Sequence, residues 1–199
     1  MGFGYKTSWI AVRSRTTVEV ADALTLGARR SMSFAAGTDA AYEGGVFVTP
    51  PIDGWTLAHG RELGDDIDLT GPEFLSWLVE MSRRLGEVQF FGTHRVAEWH
   101  QWASARDGVV LRAYAFADGE VALYVGEPTP AEVSCGIGTA PWPGDESEGW
   151  GDVEWDRWFS TTPGEQDVMH IAGQWSVDPS LIDDDGVIGS GLFGHLTWH

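Results

Sequence analysis

Two Asp-Gly pairs, Asp107-Gly108 and Asp118-Gly119, each lie between runs in which apolar and polar residues alternate. They constrain the fold more than any other feature. Asp-Gly supplies the positive backbone angles that a two-residue hairpin turn needs, so the flanking runs must pair antiparallel. The spacing predicts strands over residues 96–104, 109–117 and 120–126, preceded by a strand over 87–92. In the run from 96, Val96, Glu98, His100 and Trp102 alternate with Ala97, Trp99, Gln101 and Ala103. Residues 87–126 therefore read as an antiparallel meander.

Upstream, Tyr5–Arg13 reads as a strand. Thr16 and Glu19 have the spacing of a capping box, and Val18, Ala21, Leu24 and Ala28 follow near helical spacing. A helix ending at Gly27, Arg29 or Arg30 is expected. Residues 31–45 are rich in small side chains and show no period. Val46–Thr49 and Trp55–Ala58 flank Pro50-Pro51-Ile52-Asp53-Gly54, the composition of a hairpin. Thr70 and Glu73 suggest a second capping box. It opens a helix whose apolar face is Phe74, Trp77, Leu78, Met81 and Leu85, closed by Arg83, Arg84 and Gly86.

The order over residues 5–92 is β-α-β-β-α-β, a ferredoxin-like start. The expected class is α+β: an antiparallel sheet with helices on one face, extended by the meander. A single domain is expected over residues 1–199, divided into an α+β scaffold at 1–126 and an acidic, Trp-rich C-terminal extension at 127–199. That extension is expected to hold one helix near 163–175. Thr162 and Glu165 suggest its capping box, Val168, Ile171, Ala172 and Trp175 its apolar face, and Asp178-Pro179 its end.

Charge is divided unevenly along the chain. Residues 1–117 carry 14 acids and 11 bases, whereas residues 118–199 carry 16 acids against Arg157 alone. Nucleic acid and anionic membrane are thereby excluded as direct ligands, since both require a Lys/Arg surface. No apolar run approaches the ~18 residues of a membrane span, and Met1–Lys6 shows no signal-peptide core. The single cysteine, Cys135, allows no internal disulfide and suits a reducing cytoplasm.

Few motifs point to catalysis. Cys135 has neither a neighbouring base nor a helix start to activate it. Ser190 lacks the nucleophile-elbow pattern, and Gly136-Ile137-Gly138 does not continue into a dinucleotide fingerprint. His94, Glu98 and His100 lack metalloprotease spacing. Asp183-Asp184-Asp185-Gly186 lacks the closing glutamate of a calcium loop. No metal, no cofactor and no catalytic residue is expected.

Three stretches, Gly45–Trp55, Phe90–His100 and Val168–Pro179, together resemble a group of small uncharacterised bacterial proteins frequent in actinobacteria. The resemblance spans most of the chain. It implies a bacterial, cytoplasmic protein and carries no assigned activity and no catalytic residue.

The functional expectation rests on the acid and the aromatics of residues 140–160. Trp150, Asp152, Glu154, Trp155, Asp156 and Trp158 are the candidate partner-binding residues, with Asp145, Glu146 and Glu148 as steering charge. Buried aromatics ringed by carboxylates suit a basic protein surface. The reading is a non-enzymatic, immunity or antitoxin-like protein whose basic partner would be a toxin acting on nucleic acid. The alternative is a small-ligand binder or enzyme with a pocket beside the meander, using His94, Arg95, Glu98 and His100.

Overall fold

The computed structural model describes residues 2–64, 67–137 and 147–197. The first strand, β1 (Thr7–Arg13), is buried at every position but its last. Trp9 and Ala11 enter one core, and Ile10 and Val12 enter another. A strand apolar on both sides must be covered on both sides. The remaining strands are β2 (Leu26–Met32), β3 (Val46–Val48), β4 (Trp55–His59), β5 (Glu87–His94), β6 (Trp99–Arg106), β7 (Val109–Ala117), β8 (Glu120–Val125) and β9 (Gly191–Leu196). They form one sheet in the order β2-β9-β3-β4-β1-β5-β6-β7-β8, and each neighbouring pair is antiparallel.

The helices are α1 (Thr17–Ala23), α2 (Phe34–Glu43), α3 (Pro72–Leu85), α4 (Pro130–Ser134), α5 (Asp152–Phe159) and α6 (Glu165–Trp175). Val20 and Ala21 of α1 join Phe74, Leu78 and Met81 of α3 over Ile10 and Phe90. Phe34 of α2, Ala131 of α4, Trp158 of α5 and Val168 and Ile171 of α6 cover the opposite face with Trp9, Phe91 and Trp102. The chain is thus α+β, but helices lie on both faces of the sheet and not on one. Residues beyond 126 share this core and supply β9, which pairs with β2 through Phe193↔Arg30 and with β3 through Phe193↔Phe47. Among the described residues, no helix is long and apolar enough to cross a membrane.

The meander forms as expected. Asp107, Gly108, Asp118 and Gly119 all have positive φ, between 50° and 83°, which is the geometry of a type I′ turn. The strand predicted to open at residue 96 begins instead at Trp99. Arg95–Ala97 form a 3-10 turn in which His94 Nδ1 accepts the Ala97 N–H at 3.3 Å, and Glu98 sits in the left-handed region.

Upstream, the four expected strands are neighbours in the order β3-β4-β1-β5. However, β2 and α2 intervene in the chain between α1 and β3. Residues 26–30, expected to finish a helix, lie with 31–32 in the edge strand β2, with Ala28 at positive φ where the register shifts. Residues 34–43 form α2 without a large-residue stripe. A Cβ on Gly37 would lie 2.2 Å from the Phe47 ring, so the helix packs by closeness more than by bulk.

Of the three capping boxes, only Thr16/Glu19 forms, Glu19 Oε2 accepting the Thr16 N–H at 2.8 Å. Gly71 and Gly164 cap α3 and α6 in place of the two threonines. Asp68 takes the Thr70 N–H and O–H, and Asp167 takes the Gly164 N–H.

A further box, Thr129/Glu132, opens α4. Its glutamate has a second role. Arg112 and Glu132 are both buried, and the carboxylate accepts from Arg112 Nε at 2.9 Å and Nη2 at 2.6 Å. Its Oε2 also takes the Thr129 N–H and O–H, each at 2.8 Å. Arg112 Nη1 donates to the Val125 and Gly126 carbonyls, and the guanidinium lies 4.4 Å from the Tyr124 ring centre. Burial alone would raise the Glu132 pKa, but the hydrogen bonds from Arg112 and Thr129 outweigh it and hold the carboxyl below its usual range. Its stabilisation is therefore present above the ordinary glutamate pKa and is lost as pH falls through the lower folded value.

Arg112→Met strands this carboxylate and should cost about 3–5 kcal/mol, read from the urea midpoint. Adding Glu132→Gln keeps the cap while removing the charge, so the double variant should recover part of the loss. A double variant no more stable than Arg112→Met would show that the charge pairing is not what was lost.

Candidate functional site

Helix α5 is built on an aromatic ladder. Gly151 is its N-cap, its N–H bonded to Glu154 Oε2 at 3.0 Å. Trp155 and Trp158, three residues apart, share one helix face. The ring of Trp150 meets that of Trp155 at 5.2 Å, Trp155 meets Trp158 at 6.1 Å, and Trp158 meets Phe116 of β7 at 6.1 Å. Trp158 is only 7% exposed, and Trp150 and Trp155 are half-buried against the same core. Large rings packed in this way dock a short helix that could not persist alone.

The carboxylates point the other way. Asp152, Glu154 and Asp156 are exposed, as are Glu148 ahead of the helix and Val153 at 77%. Exposed Asp118 and Glu120 flank the β7–β8 turn, close in sequence to Phe116. The structure thus gathers Trp150, Trp155 and Trp158 on the inner side and leaves the acids outside. Asp145 and Glu146 lie outside the described residues.

The four residues of the alternative pocket differ in their surroundings. Arg95 and Glu98 are exposed on the 3-10 turn. His100 is buried, its Nδ1 2.8 Å from Thr93 Oγ1. Burial lowers its pKa against an opposing pull from Asp167. His94 lines a cavity. This is a space of about 470 Å³ at the common end of β4, β1, β5 and β6, lined by Lys6, Ser8, Arg61, Leu69, His94 and Trp99 among others. Two glycines shape it. A Cβ on Gly92 would fall 2.0 Å from Trp99 Cη2, so the bare backbone lets the indole lie across β5. A Cβ on Gly60 would fall 2.1 Å from the Gly45 carbonyl oxygen, which keeps the turn after β4 tight. Lys6 and Arg61 are too distant in sequence from His94 for spacing to have grouped them.

Elsewhere, burial and then Asp167 raise the pKa of the Cys135 thiol, the opposite of nucleophile activation. Asp183–Gly186 forms a turn in which Asp183 Oδ1 accepts the Asp185 N–H. No group of three or more His, Cys, Asp or Glu among the described residues is placed to hold a metal ion.

His59 on β4 escaped sequence reasoning, because a lone histidine in a strand gives no sign of its depth. It is fully buried, stacked on Phe3 at 3.8 Å and flanked by Phe47 and Tyr42. Neither ring nitrogen has a hydrogen-bond partner among the described residues. Burial pushes its pKa down to about 3.

Comparison with protein-family models, with curated proteins and with solved structures gave no match to this chain.

The neutral His59 makes stability pH-dependent in a defined direction. The unfolded chain takes up a proton near pH 6.5, whereas the folded state refuses it until about pH 3. Stability is therefore present above 6.5 and lost as pH falls, at about 1.4 kcal/mol per pH unit. His59→Phe removes this contribution. Between about pH 6.5 and 5 the wild type should lose about 2 kcal/mol more than the variant in urea titrations. Parallel losses would show that the ring does not stay neutral.

Proposed function

We propose that this chain is a non-enzymatic binding protein of the bacterial cytoplasm that captures a basic partner protein, as an immunity or antitoxin-like protein would. The observation that carries this reading is the two-sidedness of α5. Its tryptophans are committed to the core, and its carboxylates are held outward on a docked helix. Fixed carboxylates can stand where a toxin acting on nucleic acid expects phosphates. A net charge of −18 raises the rate at which a cationic surface arrives. The tryptophans then act as support for the acidic face, in place of the inserted anchors that composition alone suggests. Asp152 and Asp156 lie four apart on one side of the helix and are the primary contacts, with Glu148, Asp118 and Glu120 extending the acidic area.

The test uses a short arginine-rich peptide as probe, with a glutamate-for-arginine peptide as control. Asp152→Asn/Asp156→Asn should weaken probe binding by about tenfold at low salt, mainly through slower association. Asp39→Asn/Glu43→Gln removes the same charge from exposed positions on α2. It should change affinity no more than about twofold. Equal losses from the two pairs would mean that net charge alone attracts the probe and that α5 is not the binding face.

A further inference from the structure

The cavity at the end of β4, β1, β5 and β6 has a chemistry opposite to that of the molecule around it. In a chain with 30 acids and 12 Lys and Arg, the described residues lining it include no carboxylate, and they do include Lys6, Arg61 and His94. Elsewhere cations are largely consumed by acids. Arg13, Arg15, Arg29, Arg83, Arg106 and Arg112 each lie against a Glu or Asp. Neither Lys6 nor Arg61 has an ion pair among the described residues, and both are exposed at the rim. Arg95 adds a further exposed charge on the turn beside His94.

The donors are also oriented. His94 Nδ1 is occupied by the Ala97 N–H at 3.3 Å, so the neutral ring carries its proton on Nε2 and is a donor in either charge state. Lys6 is held in the left-handed region, φ 55°, immediately before β1. The hydroxyl residues Thr7, Ser8 and Thr93 also line the space. The rest of the wall is apolar: the Trp99 indole, laid flat by Gly92, with Leu63 and Leu69 from the segment after β4.

We infer that this cavity binds a small organic anion, a carboxylate or phosphate group carried on a flat apolar body, with the anionic head between Lys6, Arg61 and His94 and the body against Trp99. Guanidinium and ammonium groups recognise both head groups. A cleft with an apolar wall and a few convergent donors is the usual form of a small-ligand site. This site is separate from the acidic face of α5 and does not depend on it.

Benzoate and phenyl phosphate serve as probes for the two head groups, with inorganic phosphate and neutral benzamide as controls. Lys6 is the only lysine in the chain. Reductive ¹³C-methylation therefore gives one side-chain resonance, distinct from the N-terminal amine, that reports directly on the rim. At least one aryl anion should shift that resonance saturably with Kd of about 1 mM or tighter, and the preferred head group identifies the ligand class. Arg61→Gln should weaken this binding by about tenfold, and Trp99→Leu should weaken the aryl anion while leaving inorganic phosphate unchanged. Arg61 is exposed, whereas Trp99 packs against the edge of the core, so circular dichroism of each variant checks the fold. No saturable shift with either aryl anion would overturn the assignment. So would benzamide binding as tightly as benzoate, or an unchanged affinity in Arg61→Gln. Inorganic phosphate binding as tightly as phenyl phosphate would overturn the role given to Trp99.

Discussion

Burial of the central strands on both faces is the constraint from which the rest of this structure follows. β1 and β5 place large apolar side chains alternately into two cores. Each side of the sheet therefore needs its own layer of helices. On one side α1 and α3 suffice. On the other, α2 covers only the β3 end, and Phe91, Trp102 and Tyr114 would lie open without α4, α5 and α6. The acidic C-terminal region thus has structural work independent of any partner. The buried Arg112–Glu132 pair secures it to the meander. Trp175 continues the attachment, its indole N–H reaching Thr129 Oγ1 at 3.3 Å and its carbonyl taking Gln89 Nε2 at 3.2 Å.

The meander, α3 and α6 are legible in the sequence because their signals are local: Asp-Gly turns, or apolar residues at helical spacing. The failures are equally physical. β9 has no strand signature in the sequence because it carries Gly191 and Gly194. A Cβ at either site would fall within 2.5 Å of a carbonyl oxygen of a neighbouring strand. Those glycines mark close backbone approach, a property of the sheet that a single strand does not display. α2 is hidden because, apart from Phe34, its buried face is made of Gly37, Thr38 and Ala41 and not of large apolar side chains at helical spacing. The capping box at Thr70 fails because Asp68 holds Thr70 in the preceding turn and α3 starts one residue later at Gly71. The box at Thr162 fails because Asp167 takes the N–H of Gly164. In the site region the carboxylates of α5 could be found from charge, whereas the inward turn of Trp150, Trp155 and Trp158 depends on Phe116, far away in sequence. The cavity draws on Lys6, Arg61 and His94 from three strand ends, so only the folded chain assembles it.

The two proposed sites oppose one another electrostatically. An acidic body attracts a basic protein from a distance and repels a small anion over the same range. Both effects shrink beyond about 8 Å at physiological ionic strength. Added salt should therefore slow arrival at α5 while easing arrival at the cavity. This difference separates a specific anion site from general attraction, since general attraction by this chain could only favour cations.

The position of β9 bears on how the molecule comes to be made. Leu26 pairs with Leu196, and Val48 with Leu192, so β2 reaches the remaining strands only through a strand near the other end of the chain. During synthesis β2 must wait beside an empty slot until residues 191–196 have been made. Pairing over so long an interval carries a large loop-closure entropy and a high contact order, both of which slow folding. The meander can form early from neighbouring segments, while the β2 edge is joined last. Until then the exposed margin of β3 is the place where an incomplete chain is open to pairing with another.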